Sequence, residues 1–181
     1  MKTMICWDGL FAYIWSYLPC YPSIRKMERN LEKILTRYFS DVLEEETVET
    51  LWAEIIDEKK GLYKIDNIPF YGPKFSCGDI VYAEYDNYEE RLTFRKVVEP
   101  SGNSTIQIIL IDENLDSQDL RDEFKDLGCE SEGAGGNYFV MEIPFEKNYN
   151  EIFIKLTELE NNGTIGFAEP VISDKHYSEK L

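Results

Sequence analysis

The amino-acid sequence predicts an α+β protein, and three observations carry that prediction. Apolar residues follow helical spacing between Met27 and Glu46. Short alternating segments broken by polar turns run from Val48 to Pro100. Beyond residue 104, strand-like and helix-like segments take turns. With 43% hydrophobic and 14% aromatic residues, the 181-residue chain can bury a real core, as one ordinary domain or two small ones.

Residues 1–26 form an apolar extension. Its uninterrupted part, Leu10 to Leu18, is too short to cross a bilayer, and no small-residue cleavage site follows it. It reads as sequence upstream of a start at Met27, or as an interfacial anchor. Residues 27–47 are expected to form an amphipathic helix, with Leu31, Ile34, Leu35, Tyr38 and Val42 on one face. Residues 48–100 then read as a small antiparallel barrel-like domain. Its strands are TLWAEII (Thr50 to Ile56), GLYKI (Gly61 to Ile65), DIVYAEY (Asp79 to Tyr85) and RLTFRKVV (Arg91 to Val98). Asp57 to Lys60, Pro69, Gly72-Pro73 and Asp86-Asn87 mark the breaks, because proline lacks a ladder donor and Asp and Asn close turns with their side chains.

Residues 101–104 read as a linker and residues 105–172 as a second unit. TIQIILI (Thr105 to Ile111) is apolar enough for a central strand. Asp116 caps a helix ending at Gly128, with Leu120, Phe124 and Leu127 inward. A strand from Cys129 to Glu132, a glycine-rich turn and YFVMEI (Tyr138 to Ile143) follow. A second helix, Tyr149 to Glu160, leads to a last strand, Ile165 to Ile172. The order β-α-β-β-α-β is the ferredoxin-like plan. Residues 173–181 read as a polar tail containing His176, the only histidine.

The formal net charge is −16. Residues 1–26 carry Lys2, Arg25 and Lys26 against Asp8, a balance of +2, so the remainder carries −18. Such a field repels phosphates and anionic lipid, which argues against nucleic acid as a partner, and it steers a basic protein inward. The plainer reading is that the charge only keeps the chain soluble.

Recognisable catalytic and metal signatures are missing. Cys6, Cys20, Cys77 and Cys129 show no metal-ligand spacing and read as reduced thiols of a cytoplasmic protein, with a Cys6–Cys20 disulfide left open. A single histidine in a tail gives little support to a Ser-His or Cys-His pair. Gly133-Ala134-Gly135-Gly136 lacks the Gly-Lys-Ser/Thr ending of a phosphate loop and reads as a hairpin tip. The expectation is no catalytic residue, no metal and no cofactor.

The most distinctive text lies around the junction. It comprises Leu51-Trp52-Ala53, then Asp66-Asn67-Ile68-Pro69-Phe70-Tyr71, then Gly78-Asp79-Ile80-Val81, then Val97-Val98-Glu99-Pro100-Ser101-Gly102-Asn103-Ser104-Thr105. Structural punctuation is one reading of it. The other is a polar cleft between the two units, lined by Asp66, Asn67, Ser101, Asn103 and Ser104, with Phe70 and Tyr71 as an aromatic wall and Asp79 close by. In their order these segments resemble a bacterial family known as domain of unknown function 4265, over roughly Leu51 to Val171. The resemblance implies histidine in many relatives where this chain has Asn103, which tells against an imidazole-based role here. It implies no activity.

Two expectations of function follow, from different classes. One is a non-catalytic acidic binding protein, of immunity or antitoxin type, that covers a basic partner surface. The other is a small-molecule-sensing module with its pocket at the junction. An enzyme using Asp66 or Asp79 as a base ranks behind both.

Overall fold

A computed structural model describes residues 30–40, 44–72, 75–112, 114–133 and 135–180. The first half is all strand: β1 (Leu31–Ser40), β2 (Glu45–Asp57), β3 (Leu62–Ile65), β4 (Ile80–Asp86) and β5 (Arg91–Glu99). They close in the order β1-β2-β3-β4-β5 into a ring. Neighbours pair antiparallel except at the closure, where β1 meets β5 in parallel through Leu35↔Thr93. Inward residues form one apolar core of Ile34, Leu51, Ala53, Tyr63, Ile65 and Phe75 with Val81 and Ala83. The Phe75 ring lies 4.7 Å from that of Phe94. At the β2–β3 turn Asp57 caps Lys60, and Gly61 sits at φ 66° with Ala83 O only 2.6 Å from where a Cβ would stand. Glycine is required there on both counts.

The helix expected over residues 27–47 is not formed: residues 31–40 and 45–47 are strand. Leu31, Ile34, Leu35 and Tyr38 do share helical spacing, but Ile34, Leu35 and Thr36 are buried consecutively, since β1 is packed by the ring core and paired on both edges. Consecutive burial hides the two-residue alternation that marks a strand, and ten residue pairs with β2 outweigh local helix preference. Met27 to Arg29, Val42 and the whole of residues 1–26 lie outside the described residues.

The second half contains β6 (Ser104–Leu110), α1 (Ser117–Asp126), β7 (Glu130–Gly133), β8 (Tyr138–Ile143), α2 (Tyr149–Asn161) and β9 (Ile165–Val171). The sheet order is β7-β8-β6-β9, with every pairing antiparallel. Asp116 and Asn148 cap the two helices by accepting from the backbone N–H of Gln118 and Asn150. Both helices press on one sheet face: Leu120, Phe124, Tyr149, Ile152 and Leu156 meet Ile106, Ile108, Phe139, Met141 and Ile143 in a single core. Strand alternation sends Thr105, Gln107, Ile109, Tyr138, Val140 and Glu142 to the opposite face.

The ring docks on that opposite face. Ser76 Oγ meets Thr105 Oγ1 at 3.0 Å, Gln107 Nε2 donates to Phe70 O at 2.8 Å, and Ile68 N donates to Glu132 Oε1 at 2.9 Å. The span expected to be a linker, residues 101–104, is part of this contact: Ser104 is already the first residue of β6, and Ser101 and Asn103 are hydrogen-bonded to the β3–β4 connection.

The C-terminal residues are not a solvated tail. They form α3 (Asp174–Ser178), and His176 is 0% exposed. Its Nδ1 lies 2.7 Å from Ser104 Oγ, which also accepts from Ser173 N at 3.0 Å. Glu179 accepts from Tyr149 N, and Lys180 pairs with Glu169. A short polar segment reads as solvated unless its tertiary partners are known, and these lie 11 to 72 residues away in sequence. No helix of the described residues is long and apolar enough to cross a membrane.

Substituting His176→Ala removes the partner of a buried hydroxyl and leaves a void beside Tyr149, a loss of about 2–4 kcal/mol. Urea unfolding should show that loss, whereas Tyr177→Ala, on the exposed side of α3, should shift the midpoint little.

Candidate functional site

The connection from β3 to β4 and the connection from β5 to β6 meet over the ring-facing side of the sheet. Asp79, 5% exposed, ties them. Its Oδ2 accepts from Ser76 N at 3.1 Å, and its Oδ1 accepts from both Ser101 N and Ser101 Oγ at 2.7 Å. A short side chain just after Gly78 can reach back to its own turn, which is why aspartate suits this place. Asn103 continues the network: Nδ2 donates to Cys77 O at 3.1 Å and to Glu142 Oε1 at 2.9 Å, while Oδ1 accepts from Phe145 N at 3.0 Å. Gly102, at φ +83°, leaves room for the Phe145 ring, which a Cβ would approach to 2.6 Å.

Glu142 comes from β8 and is 9% exposed. Its Oε2 is buried with no hydrogen-bond partner among the described residues. Burial pushes its carboxyl up to about 6, a contact with Cys77 opposes this, and the charges of Asp79, Glu130 and Glu132 add to it. Burial, then the charge of Glu142, raises the Cys77 thiol well above its ordinary range, which favours its protonated form. Among the described residues no group of three or more His, Cys, Asp or Glu is placed to hold a metal ion.

The residues singled out in the sequence separate into groups. Asp79, Ser101 and Asn103 line a cleft of about 580 Å³ whose other walls include Phe145, Ile172 and Lys175. Asn67, Phe70 and Tyr71 lie elsewhere. Asn67 Oδ1 accepts from Trp52 N at 2.7 Å, and the backbone N–H groups of Phe70 and Tyr71 donate to Glu49 at 2.7 and 3.2 Å. Phe70 and Tyr71 cluster with Tyr138, and the Tyr71 and Tyr138 rings stack at 5.8 Å. Asp66 is half-buried where β3 ends, its N–H donating to Trp52 O. Ser104 is fully buried behind His176 and faces neither group. The expected single cleft walled by Phe70 and Tyr71 is therefore corrected: Phe145 is its aromatic wall, and the Phe70–Tyr71 pair belongs to a separate surface.

Glu142, Phe145 and Tyr138 were not among the expected site residues, and Cys77 and His176 were expected only as a reduced thiol and a tail residue. One signal was present for Glu142: an acid set among apolar residues in YFVMEI, in step with Tyr138 and Val140. Chemically, the seam is occupied with itself. Both Asp79 oxygens and both ends of the Asn103 amide are bonded within the protein, which suits a structural pin better than an acid–base catalyst.

A family model described as Domain of unknown function (DUF4265) matches residues 49–167, a span that takes in most of the ring and nearly all of the sheet unit. Among solved structures the chain is similar to a hypothetical protein from Neisseria gonorrhoeae, with a TM-score of 0.68 and 24% identity, covering 78% of this chain and 95% of that one. At that identity the likeness is one of fold. A search of curated proteins gave no match.

Asp79→Ala should cost about 2–4 kcal/mol, because it strands the buried donors of Ser76 and Ser101; chemical unfolding checks this. A fold that holds the Glu142 carboxyl protonated binds that proton more tightly than the unfolded chain does. Stability from this group is therefore highest below the ordinary carboxylate range and declines as pH rises through about 6. Relative to wild type, Glu142→Gln should gain roughly 2 kcal/mol in unfolding free energy between pH 4 and pH 8. A difference that does not change with pH would exclude the effect.

Proposed function

From the premise that this chain belongs to the family described as Domain of unknown function (DUF4265), we propose a non-catalytic binding protein that meets a basic partner with its carboxylates. The observation carrying this reading is the charge of the helix layer. Asp119, Asp122, Asp126, Glu151, Glu158 and Glu160 are exposed on α1 and α2. The bases of the same helices are largely engaged: Arg121 by Ser131 and Gln118, Lys155 by Glu123. A net charge of −16 extends that field to long range, where it speeds encounter with a positive surface.

The second half reads most simply as ferredoxin-like, two helices on one face of a four-stranded antiparallel sheet, a scaffold suited to offering a helical surface. An immunity or antitoxin-type inhibitor is the specific role that fits: carboxylates stand where a basic toxin would otherwise engage phosphates. The free thiols of Cys77 and Cys129 suit a reducing, cytoplasmic setting.

A second reading has one observation in its favour, the cleft of about 580 Å³ walled by Phe145 and Ile172 with Lys175 on its lining. A small-molecule effector held there would raise the melting temperature in a metabolite thermal-shift screen.

Affinity capture from the native host separates the readings. A protein with a basic surface should be retained at low salt and lost as ionic strength rises, and Asp122→Lys with Asp126→Lys should weaken its binding about tenfold. Recovery of no basic protein at any salt concentration counts against the proposal.

A further inference from the structure

The face of the sheet that receives the ring is not wholly covered. Beyond the ring, Ile109 and Tyr138 on adjacent strands and Gly166 on β9 form one cross-strand row, with Gln107 and Ala168 in the next. Together with Glu160 they line a groove of about 390 Å³. Its apolar floor opens to solvent: Ile109 is 45% exposed, and Ile111 just beyond it is 59% exposed. On the ring side it ends at the Tyr138 ring, against which Tyr71, itself 57% exposed, is stacked.

Acidic side chains stand in this groove and behind it. Glu160 is the only charged residue in its lining. Behind the aromatic wall, Glu49 holds the backbone of Phe70 and Tyr71, and Glu132 holds that of Ile68. Burial first, then neighbouring groups that include Glu49 and Tyr71, holds the hydroxyls of Tyr38 and Tyr138 above the ordinary phenol range. Tyrosine faces attract cations, apolar flanks accept the methylene stem of a long basic side chain, and a guanidinium stacks flat on a ring where an ammonium does not.

We propose that this groove is a docking site for an arginine-bearing segment of a basic partner protein, its guanidinium over the Tyr71–Tyr138 wall and its stem along Ile109. The assignment rests on the acidic-binding reading above and adds the place and the side chain. The partner then grips two surfaces of the molecule: the acidic helices supply long-range attraction, and the groove supplies a short-range anchor selective for arginine.

The test is titration of the full chain with a hexa-arginine peptide at low salt, followed by backbone and tyrosine-ring NMR, with hexa-lysine in parallel. Shifts should concentrate at Gln107, Ile109, Tyr138, Gly166 and Ala168, and arginine should bind more tightly than lysine. Tyr71→Ala and Ala168→Arg, both at exposed positions, should each weaken hexa-arginine binding about fivefold with the melting temperature kept. Shifts confined to α1 and α2, with both variants binding as wild type, overturn the groove assignment and leave the acidic-binding reading standing. Equal response to the two peptides without tyrosine-ring shifts also overturns it. Absence of any binding at low salt removes both. Groove shifts that appear with chain concentration alone assign the groove to a second copy of the chain and overturn the arginine segment.

Discussion

Asp79 accepts hydrogen bonds from Ser76 on its own connection and from Ser101 on the next, and that pair of contacts sets where the sheet unit begins relative to the ring. Only Pro100 to Asn103 separate β5 from β6, so once Ser101 is fixed there is little freedom in where β6 can start. Asn103 then reaches across to Glu142 on β8 and to Phe145, and Ser104 reaches His176 on α3. Ring, sheet and C-terminal helix are thus registered by one chain of polar contacts running through a stretch of four residues. Such a network is rigid when every member is satisfied and costly when one is not. Glu142 Oε2 and His176 Nε2 are its unpartnered buried atoms among the described residues, and burial of the first is why protonation of that carboxyl bears on stability.

This arrangement also constrains function. A polar cleft invites a catalytic reading, yet here its donors and acceptors are turned on one another. The groups left facing outward are carboxylates on the helices and aromatic rings beside the open part of the sheet. Under the proposed binding reading, the carboxylates would supply charge for approach, and the flat rings and apolar floor would supply fit.

Much of the second half was legible from the sequence, for local reasons. Asp116 and Gly128 bracket α1, Tyr149 to Leu159 keep a clean helical stripe, and the strand Tyr138–Ile143 was found at its observed bounds. The segment over β1 misled because its strand character comes from pairing with β2 and β5, which no window of ten residues contains. His176 misled for the same reason, its partner Ser104 being 72 positions earlier. Which of the junction motifs meet depends on how the β3–β4 connection folds. Phe70 and Tyr71 go to the aromatic surface and residues 76–79 to the seam, although both lie on one connection.

Closing β1 onto β5 makes the strand order of the ring circular, so the strands that end a sheet order are β7 and β9 of the sheet unit. The first is four residues long, and the second carries Pro170, which lacks an amide hydrogen. Neither is a good template for adding a strand from another molecule. Stacking of its own copies through main-chain pairing is therefore disfavoured at both margins.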